Sequence, residues 1–300
     1  MNILIAGGSG FLGSELTKFF TDRDHLVKIL TRNPHNKNQL KWDGKTKGDW
    51  VKEIDRADVI INMAGKSVDC RYTDRNKSEI LDSRIDSTSI LNEAVSKASK
   101  KPFLWINSSS ATTYIHSEIT LMTEKDGVIG NDFSMNVCKK WEEEFFSKEI
   151  EGVRKVATRT SIVLGNEGGA FPKMKAITKL GLGGKHGNGQ QKMSWIHIND
   201  FCKAIEFLIN TNQISGPVNI TAPNPIPNTK FMEQIRSSLN VPVGINQPKF
   251  LLEIGAFFLR TETELLLKSR NVYPEVLINS GFKFDFKEVG IALHDLILKD

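Results

Sequence analysis

Short unbroken apolar runs alternate along this chain with segments whose apolar positions recur every three to four residues. The first run, Asn2 to Ala6 with Ile3, Leu4 and Ile5, has the pattern of a strand covered on both faces. Phe11 to Phe20 then carries apolar residues at helical spacing. Further strands are predicted at Leu26 to Leu30, at Asp58 to Asn62 running into Met63-Ala64-Gly65, and at Phe103 to Ile106 running into the hydroxyl cluster Ser108 to Thr113. Ser78 to Ser99 reads as a helix that covers the sheet, with Ile80, Leu81, Ile85, Leu91, Ala94 and Val95 on one face. The alternation continues with a helix around Val137 to Phe146, one strand from Val156 to Leu164, and a last strand at Val218 to Ile220. Before that last strand, Asn199 or Asp200 is expected to cap a helix from Phe201 to Ile209. Strands and helices in this order predict an α/β fold, a Rossmann doubly wound parallel sheet.

Pro223, Pro225 and Pro227 mark a rigid connection, after which the pattern turns helical. Residues 1–228 are therefore expected to form the nucleotide-binding domain, with the loop 166–192 contributing to a substrate cleft. Residues 229–300 are expected to form a small, mostly helical C-terminal substrate lobe, with helices from Thr229 to Leu239 and from Lys249 to Arg270. Gly281 to Phe286 alternates like a short strand before a final helix. Phe250 to Leu259 is interrupted by Glu253 and Gly255, so it reads as a buried helix and not as a membrane span.

Composition narrows the class of partner. Hydrophobic residues make up 39% of the chain, enough for a sizeable core, and the net charge of +5 comes from Lys and Arg interspersed with Asp and Glu. That dispersal argues against nucleic acid as a partner, and no apolar run is long enough to argue for a membrane. A small-molecule substrate is the expected partner. Cys70, Cys138 and Cys202 are odd in number and widely spaced, which points to free thiols in a reducing compartment and so to a cytoplasmic address. The chain enters a core strand at Ile3, before any cleavable signal could develop, and its six histidines lack ligand spacing, so no metal site is expected.

The chemistry begins at Gly7-Gly8-Ser9-Gly10-Phe11-Leu12-Gly13, which falls on the turn between the first strand and the first helix. Gly7 suits the tight turn, Gly10 lets backbone approach a phosphate, and Gly13 lets the helix close on the strand. Phe11 and Leu12 open a helix whose free N–H groups would face a dinucleotide pyrophosphate. The second strand ends in Thr31-Arg32, where a fold that prefers NAD would place an acid for the ribose hydroxyls. The arginine fork and the Thr31 hydroxyl suit a ribose 2′-phosphate instead, so the expected cofactor is NADP.

With Asn62-Met63-Ala64-Gly65 and Ser108-Ser109-Ser110-Ala111-Thr112, the glycine turn resembles the extended short-chain dehydrogenase/reductases, which include sugar-nucleotide epimerases. That superfamily carries a catalytic Tyr-x-x-x-Lys pair on the helix after the serine strand. Here the pair is absent: four residues after Tyr72, Tyr114 and Tyr273 stand Asn76, Glu118 and Leu277. By its spacing to Glu142, Cys138 holds the lysine's place and Ser134 the tyrosine's; Lys139 is one residue off, roughly 100° around the helix. Cysteine in that place, with Trp141-Glu142 behind it, resembles an atypical epimerase-like branch often labelled nucleoside-diphosphate-sugar epimerase or cell division inhibitor. Leu180-Gly181-Leu182-Gly183-Gly184, Gly187-Asn188-Gly189-Gln190, Trp195-Ile196-His197-Ile198 and a carboxy-terminal lobe from about Gln247 extend the resemblance over nearly the whole chain. The resemblance implies that Arg84 replaces the superfamily's active-site asparagine. It also implies a cofactor set of Thr31, Arg32, Met63, Ala64, Glu79, Arg84 and Val163, to which the glycine turn and the small-residue tip at Gly65 add backbone. It supplies no reaction.

Each candidate for chemistry has a plainer alternative. Ser110 aligns with the substrate-orienting serine, or it is a loop hydroxyl that caps backbone. Tyr114 could donate a proton, or it packs in the interior with its hydroxyl satisfied. Cys138 is a nucleophile with a thiol activated by Lys139 and Lys140, or a small apolar filler. Arg84 clamps a cofactor phosphate or a substrate anion, or makes a surface ion pair. His197 lies between apolar neighbours and reads as a core histidine. These residues suit an NADP(H)-dependent oxidoreductase acting on a small carbonyl or hydroxyl compound. A nucleotide-sugar epimerase and a non-catalytic NADP(H)-binding regulatory protein are the alternatives.

Overall fold

A computed structural model describes residues 1–259 and 262–299 of the chain. The main sheet is built from β1 (Asn2–Ala6), β2 (Leu26–Thr31), β3 (Gln39–Lys41), β4 (Val59–Asn62), β5 (Leu104–Ser110), β6 (Arg154–Thr160) and β7 (Gly216–Ile220). Its strand order is β7-β6-β5-β4-β1-β2-β3, and every pairing in it is parallel. This is a Rossmann-like doubly wound sheet. Chain order reverses at β1, which pairs with β2 on one side and β4 on the other, so the ligand crevice opens at the carboxyl ends of those strands.

The layers follow from burial on both faces. Ile3 to Ala6 and all four residues of β4 are buried, as a parallel sheet sandwiched between helices requires. Helix α1 (Phe11–Thr21) turns Gly13, Leu16 and Phe20 toward the sheet. Helix α2 (Asp74–Lys97) and helix α3 (Phe133–Phe146) cover the opposite side, which is sealed by Leu91, Val95, Trp105 and Phe145. Helix α4 (Ile198–Asn210) packs beside α1.

The sequence places these elements apart from the edge strand β3, which it does not predict, and misplaces several of their ends. Helix α2 starts at Asp74 and not at Ser78, because the Thr73 hydroxyl accepts the Asn76 N–H and caps it. Asp132 does the same for α3 at the Met135 N–H, so α3 starts at Phe133 and not near Val137. The cap of α4 is His197, whose Nδ1 accepts the Asn199 N–H at 3.1 Å; neither Asn199 nor Asp200 caps it. The Asp200 carboxylate is committed elsewhere, accepting the backbone N–H groups of Asp285 and Phe286 at 3.0 and 2.9 Å. Those bonds also explain why Gly281 to Phe286 is not a strand: its amides meet a side chain and not a ladder, while Phe282 and Phe284 are still buried.

The single strand expected from Val156 to Leu164 is two. The backbone leaves the sheet at Ser161, and Ile162–Leu164 pairs with Trp195–His197 in a separate two-stranded sheet. The helix expected from Lys249 to Arg270 is also divided, into Lys249–Leu259 and Glu264–Leu267; its residues 260 and 261 lie outside the described residues. Phe250, Leu251 and Ile254 in the first of these are exposed, contrary to a buried helix. One apolar core runs from the sheet through Phe201 and Ile205 into Leu277, Phe282, Leu293 and Leu296, without a break at residue 228. Among the described residues, no helix is long and apolar enough to cross a membrane, and no group of three or more His, Cys, Asp or Glu could hold a metal ion.

Candidate functional site

The glycine turn is built as a cradle. Gly7 has φ +74°, and a Cβ there would stand 2.9 Å from the Ala64 backbone. A Cβ on Gly13 would lie 2.5 Å from the Gly8 Cα, so only glycine lets α1 sit this close to the turn. At Gly10 the nearest protein atom to such a Cβ is 3.6 Å away; the space is open toward the cavity, and a side chain would fill what a diphosphate needs. Gly10 caps α1 with no side-chain bond, which leaves the first N–H groups of the helix available to an anion.

A cavity of about 400 Å³ joins this turn to the rest of the crevice. Gly7, Gly10, Phe11, Leu12 and Gly13 line one end; Met63 and Gly65 extend it from the tip of β4. Ser108, Ser109 and Ser110 at the end of β5 face Ser134, Val137, Cys138 and Trp141 on α3, and Arg84 on α2 closes the side. The fold thus brings together the glycines, Met63, Gly65, Arg84, Ser110 and Cys138 from distant parts of the sequence. It leaves Thr31, Arg32, Ala64, Glu79, Val163 and Tyr114 out of the lining.

Thr31 and Arg32 nonetheless stand beside the turn. The Thr31 hydroxyl is 3.1 Å from that of Ser9, and Arg32 projects into solvent just beyond it with no hydrogen bond or ion pair to the described residues. Ala64 supplies the backbone beneath Gly7. Val163 is buried in its strand. Glu79 is engaged by Lys66 and Arg75 on the outside of α2, and those two cations hold its carboxyl down to about 2.

Two buried networks fix the strand ends that line the cavity. The Asn62 side-chain N–H of β4 donates to Asn107 of β5 at 2.7 Å, while its carbonyl accepts the Ala64 N–H at 3.1 Å. On the α3 side, the Ser109 hydroxyl donates to Glu142 at 2.6 Å, and Glu142 takes a two-pronged bond from Arg159 at 2.9 and 2.7 Å. Arg159 in turn donates to the Tyr114 hydroxyl at 2.8 Å, and Tyr114 donates to Asn219 at 2.9 Å. Tyr114 is therefore a fully buried strut and not a proton donor to a ligand: its hydroxyl is committed on both sides, and Tyr114 does not line the cavity.

Cys138 does face the cavity, but as a neutral thiol. Burial pushes it up to about 12, and Lys139 and Lys140, which were expected to activate it, are exposed on the other side of α3. That removes the nucleophile reading and leaves an apolar filler. Ser110 serves two ends: its hydroxyl lines the cavity and also accepts the Thr112 N–H at 3.2 Å. Arg84 makes no surface ion pair. Its guanidinium donates to the carbonyls of Lys66 at 3.0 Å and Ile80 at 2.8 Å and lies 5.0 Å over the Trp141 ring. Burial pushes its pKa below the usual arginine value, and no carboxylate among the described residues neutralises it. A cation so placed favours an anionic ligand. His197 is a core residue as expected, stacked at 3.8 Å on Phe286 and pushed by burial down to about 4.

The sequence reading missed Tyr72. It lines the cavity beside Ser134, the residue in the superfamily's tyrosine place. Testing each tyrosine only for a lysine four positions later hid it. A usable signal was its position on the loop after β4, just ahead of the capping Thr73, where a Rossmann sheet presents ligand-facing residues.

Residues 3–130 match the NAD dependent epimerase/dehydratase family, and residues 247–296 match a domain of unknown function, DUF1731. The chain is 35% identical over 306 aligned positions to the epimerase family protein YfhF of Bacillus subtilis, covering 99% of this chain and 98% of that one. Among solved structures, the human epimerase family protein SDR39U1 (isoform2) with NADPH superposes with a TM-score of 0.90 at 28% identity, covering 100% of both chains. The nucleoside-diphosphate sugar epimerase from Corynebacterium glutamicum gives 0.81 at 28% identity, over 99% of this chain and 58% of that one.

Proposed function

The chain belongs to the NAD dependent epimerase/dehydratase family, and from that footing we propose that it is an NADP(H)-dependent oxidoreductase acting on a small carbonyl or hydroxyl compound. The observation that carries this is one continuous cavity lined by the dinucleotide turn at one end and by Ser110, Arg84 and Tyr72 at the other. The human relative was crystallised with NADPH, and the donors at Thr31-Arg32 suit the extra phosphate. When bound, the nicotinamide supplies or accepts a hydride. The chain's own part is to hold the diphosphate at α1, to fix a substrate oxygen at Ser110, and to offset negative charge with Arg84. Three thiols with no disulfide among the described residues suit a cytoplasmic setting, and a small molecule is the proposed partner.

The test is a titration of NADPH and NADH against the protein, followed at the nicotinamide fluorescence, with Arg32→Asp in parallel. The parent should prefer NADPH by about tenfold or more, the worth of one charge-assisted hydrogen bond of ~1.5–3 kcal/mol at an exposed site. In Arg32→Asp the preference should collapse while NADH binding is kept. Tighter binding of NADH by the parent would overturn the cofactor assignment, and NADPH binding without oxidation against any of a carbonyl panel would favour the non-catalytic alternative.

A further inference from the structure

The superfamily's tyrosine place on α3 is held by Ser134, and a polar chain runs from it into the C-terminal region. The Ser134 hydroxyl donates to the Glu264 carboxylate, which only accepts, and Tyr72 lines the cavity beside it. Glu264 is paired at 2.8 Å with Lys268, and Lys268 also contacts Asp132, the cap of α3. Tyr72 is braced edge-on against Phe133 at 5.1 Å, and its backbone N–H donates to Glu262 at 2.6 Å. Tyr72 and Ser110 thus line the same cavity.

We propose that Tyr72 is the proton donor to a substrate oxygen in this cavity, and that Ser134, Glu264 and Lys268 are positioning residues that shape its surroundings. The inference rests on the oxidoreductase reading. Reduction of a carbonyl needs a hydride on carbon, which NADPH carries, and a proton on oxygen. The Tyr72 O–H bond breaks as the product O–H forms. Tyr72 regains a proton from water in the cavity once the product has left. The net change is one carbonyl, one NADPH and one proton converted to one alcohol and one NADP⁺. Burial, with Glu264 and Glu262 nearby, pushes the phenol up to about 12, which keeps it protonated and suits a donor better than a base. The charged groups that reach it are Glu262, Glu264 and Arg270, with Arg84 in the cavity lining. This differs in kind from a pair on one helix: the acid comes from the loop after β4 and its support from the C-terminal region.

The chain has three tyrosines, so protein labelled with ¹³C at the tyrosine ζ carbon gives three resonances, with Tyr72 identified by its loss in Tyr72→Phe. At pH 8 the Tyr72 resonance should move by different amounts with NADP⁺ and with NADPH, while those of Tyr114 and Tyr273 stay. Ser134→Ala and Glu264→Gln should each displace it, and Ser134→Thr, which keeps the hydroxyl, should restore it. In single-turnover oxidation of bound NADPH by 9,10-phenanthrenequinone, Tyr72→Phe should be slower by about 10²–10⁴-fold with NADPH affinity unchanged within about twofold. A Tyr72 resonance indifferent to both cofactors, a parent-like rate in Tyr72→Phe, or a parent that binds NADPH but does not oxidise it would each overturn the assignment. Failure to bind NADPH at all would remove the oxidoreductase reading and this inference with it.

Discussion

Replacing Glu142 by leucine should cost this protein about 3–5 kcal/mol, the penalty for removing one partner of a buried ion pair. Glu142 and Arg159 are 8% and 7% exposed and are joined by two hydrogen bonds, so the guanidinium left behind in Glu142→Leu would have no water and no counter-charge. Ser109 would also lose its acceptor at the rim of the cavity. Glu142→Gln keeps an acceptor for Ser109 but removes the charge and one of the two acceptors Arg159 uses, so about 1.5–3 kcal/mol is expected, the worth of hydrogen bonds to an ionised group. The double replacement Glu142→Leu with Arg159→Leu removes the orphaned cation and should be less destabilised than Glu142→Leu alone, despite a lost partner for Tyr114. The assay is urea unfolding at pH 7, comparing midpoints at unchanged slope. A cost below about 1 kcal/mol for Glu142→Leu, or a double variant worse than the single, would refute the view that desolvation of Arg159 governs this site.

Three further outcomes follow from the same geometry. Gly13→Ala should weaken NADPH binding by tenfold or more, because its Cβ would meet the Gly8 backbone at 2.5 Å and overpacking of that size costs ~1–3 kcal/mol; a parent-like titration would show that the turn adapts. Cys138 should resist iodoacetamide at pH 8 until the protein is unfolded in urea, with half-buried Cys70 modified first, as peptide mapping would show; rapid labelling of Cys138 would restore the nucleophile reading. Burial pushes the Lys155 ammonium from its usual 10.5 down to about 8, so between those values the unfolded chain binds more protons than the folded one and stability gains with rising pH. The gain is complete above 10.5 and is lost as pH falls through 8; Lys155→Met, compared with the parent by urea midpoints across this window, should lack it.

What could be read from the chain follows the range of the interaction responsible. Strands β1 and β4 are legible because a doubly covered strand is apolar throughout, and the glycine turn because Gly7, Gly10 and Gly13 answer to backbone within a few residues or to the neighbouring strand tip. Helix starts slipped where a side-chain cap decides them, although Thr73 and Asp132 are ordinary capping residues and were there to be read. The break at Ser161 was not legible in that way. Ile162–Leu164 leaves the main sheet because Trp195–His197 offers it a second ladder, and nothing local to Ser161 announces that partner. Asp200 shows the same limit: it has the composition of a cap, but its carboxylate serves amides 85 and 86 residues away.

The site divides along this line. A tyrosine and a lysine four residues apart on one helix can be found, or found missing, from spacing alone, because helical geometry puts them on one face. Tyr72, Ser134 and Glu264 share no such period: Glu264 lies 130 residues from Ser134, and only the fold brings the three to one place. Loss of the pair from α3 is therefore weak evidence against chemistry at this cavity. It excludes one arrangement of the donor, and the polar chain through Ser134 occupies the place where that arrangement would have been.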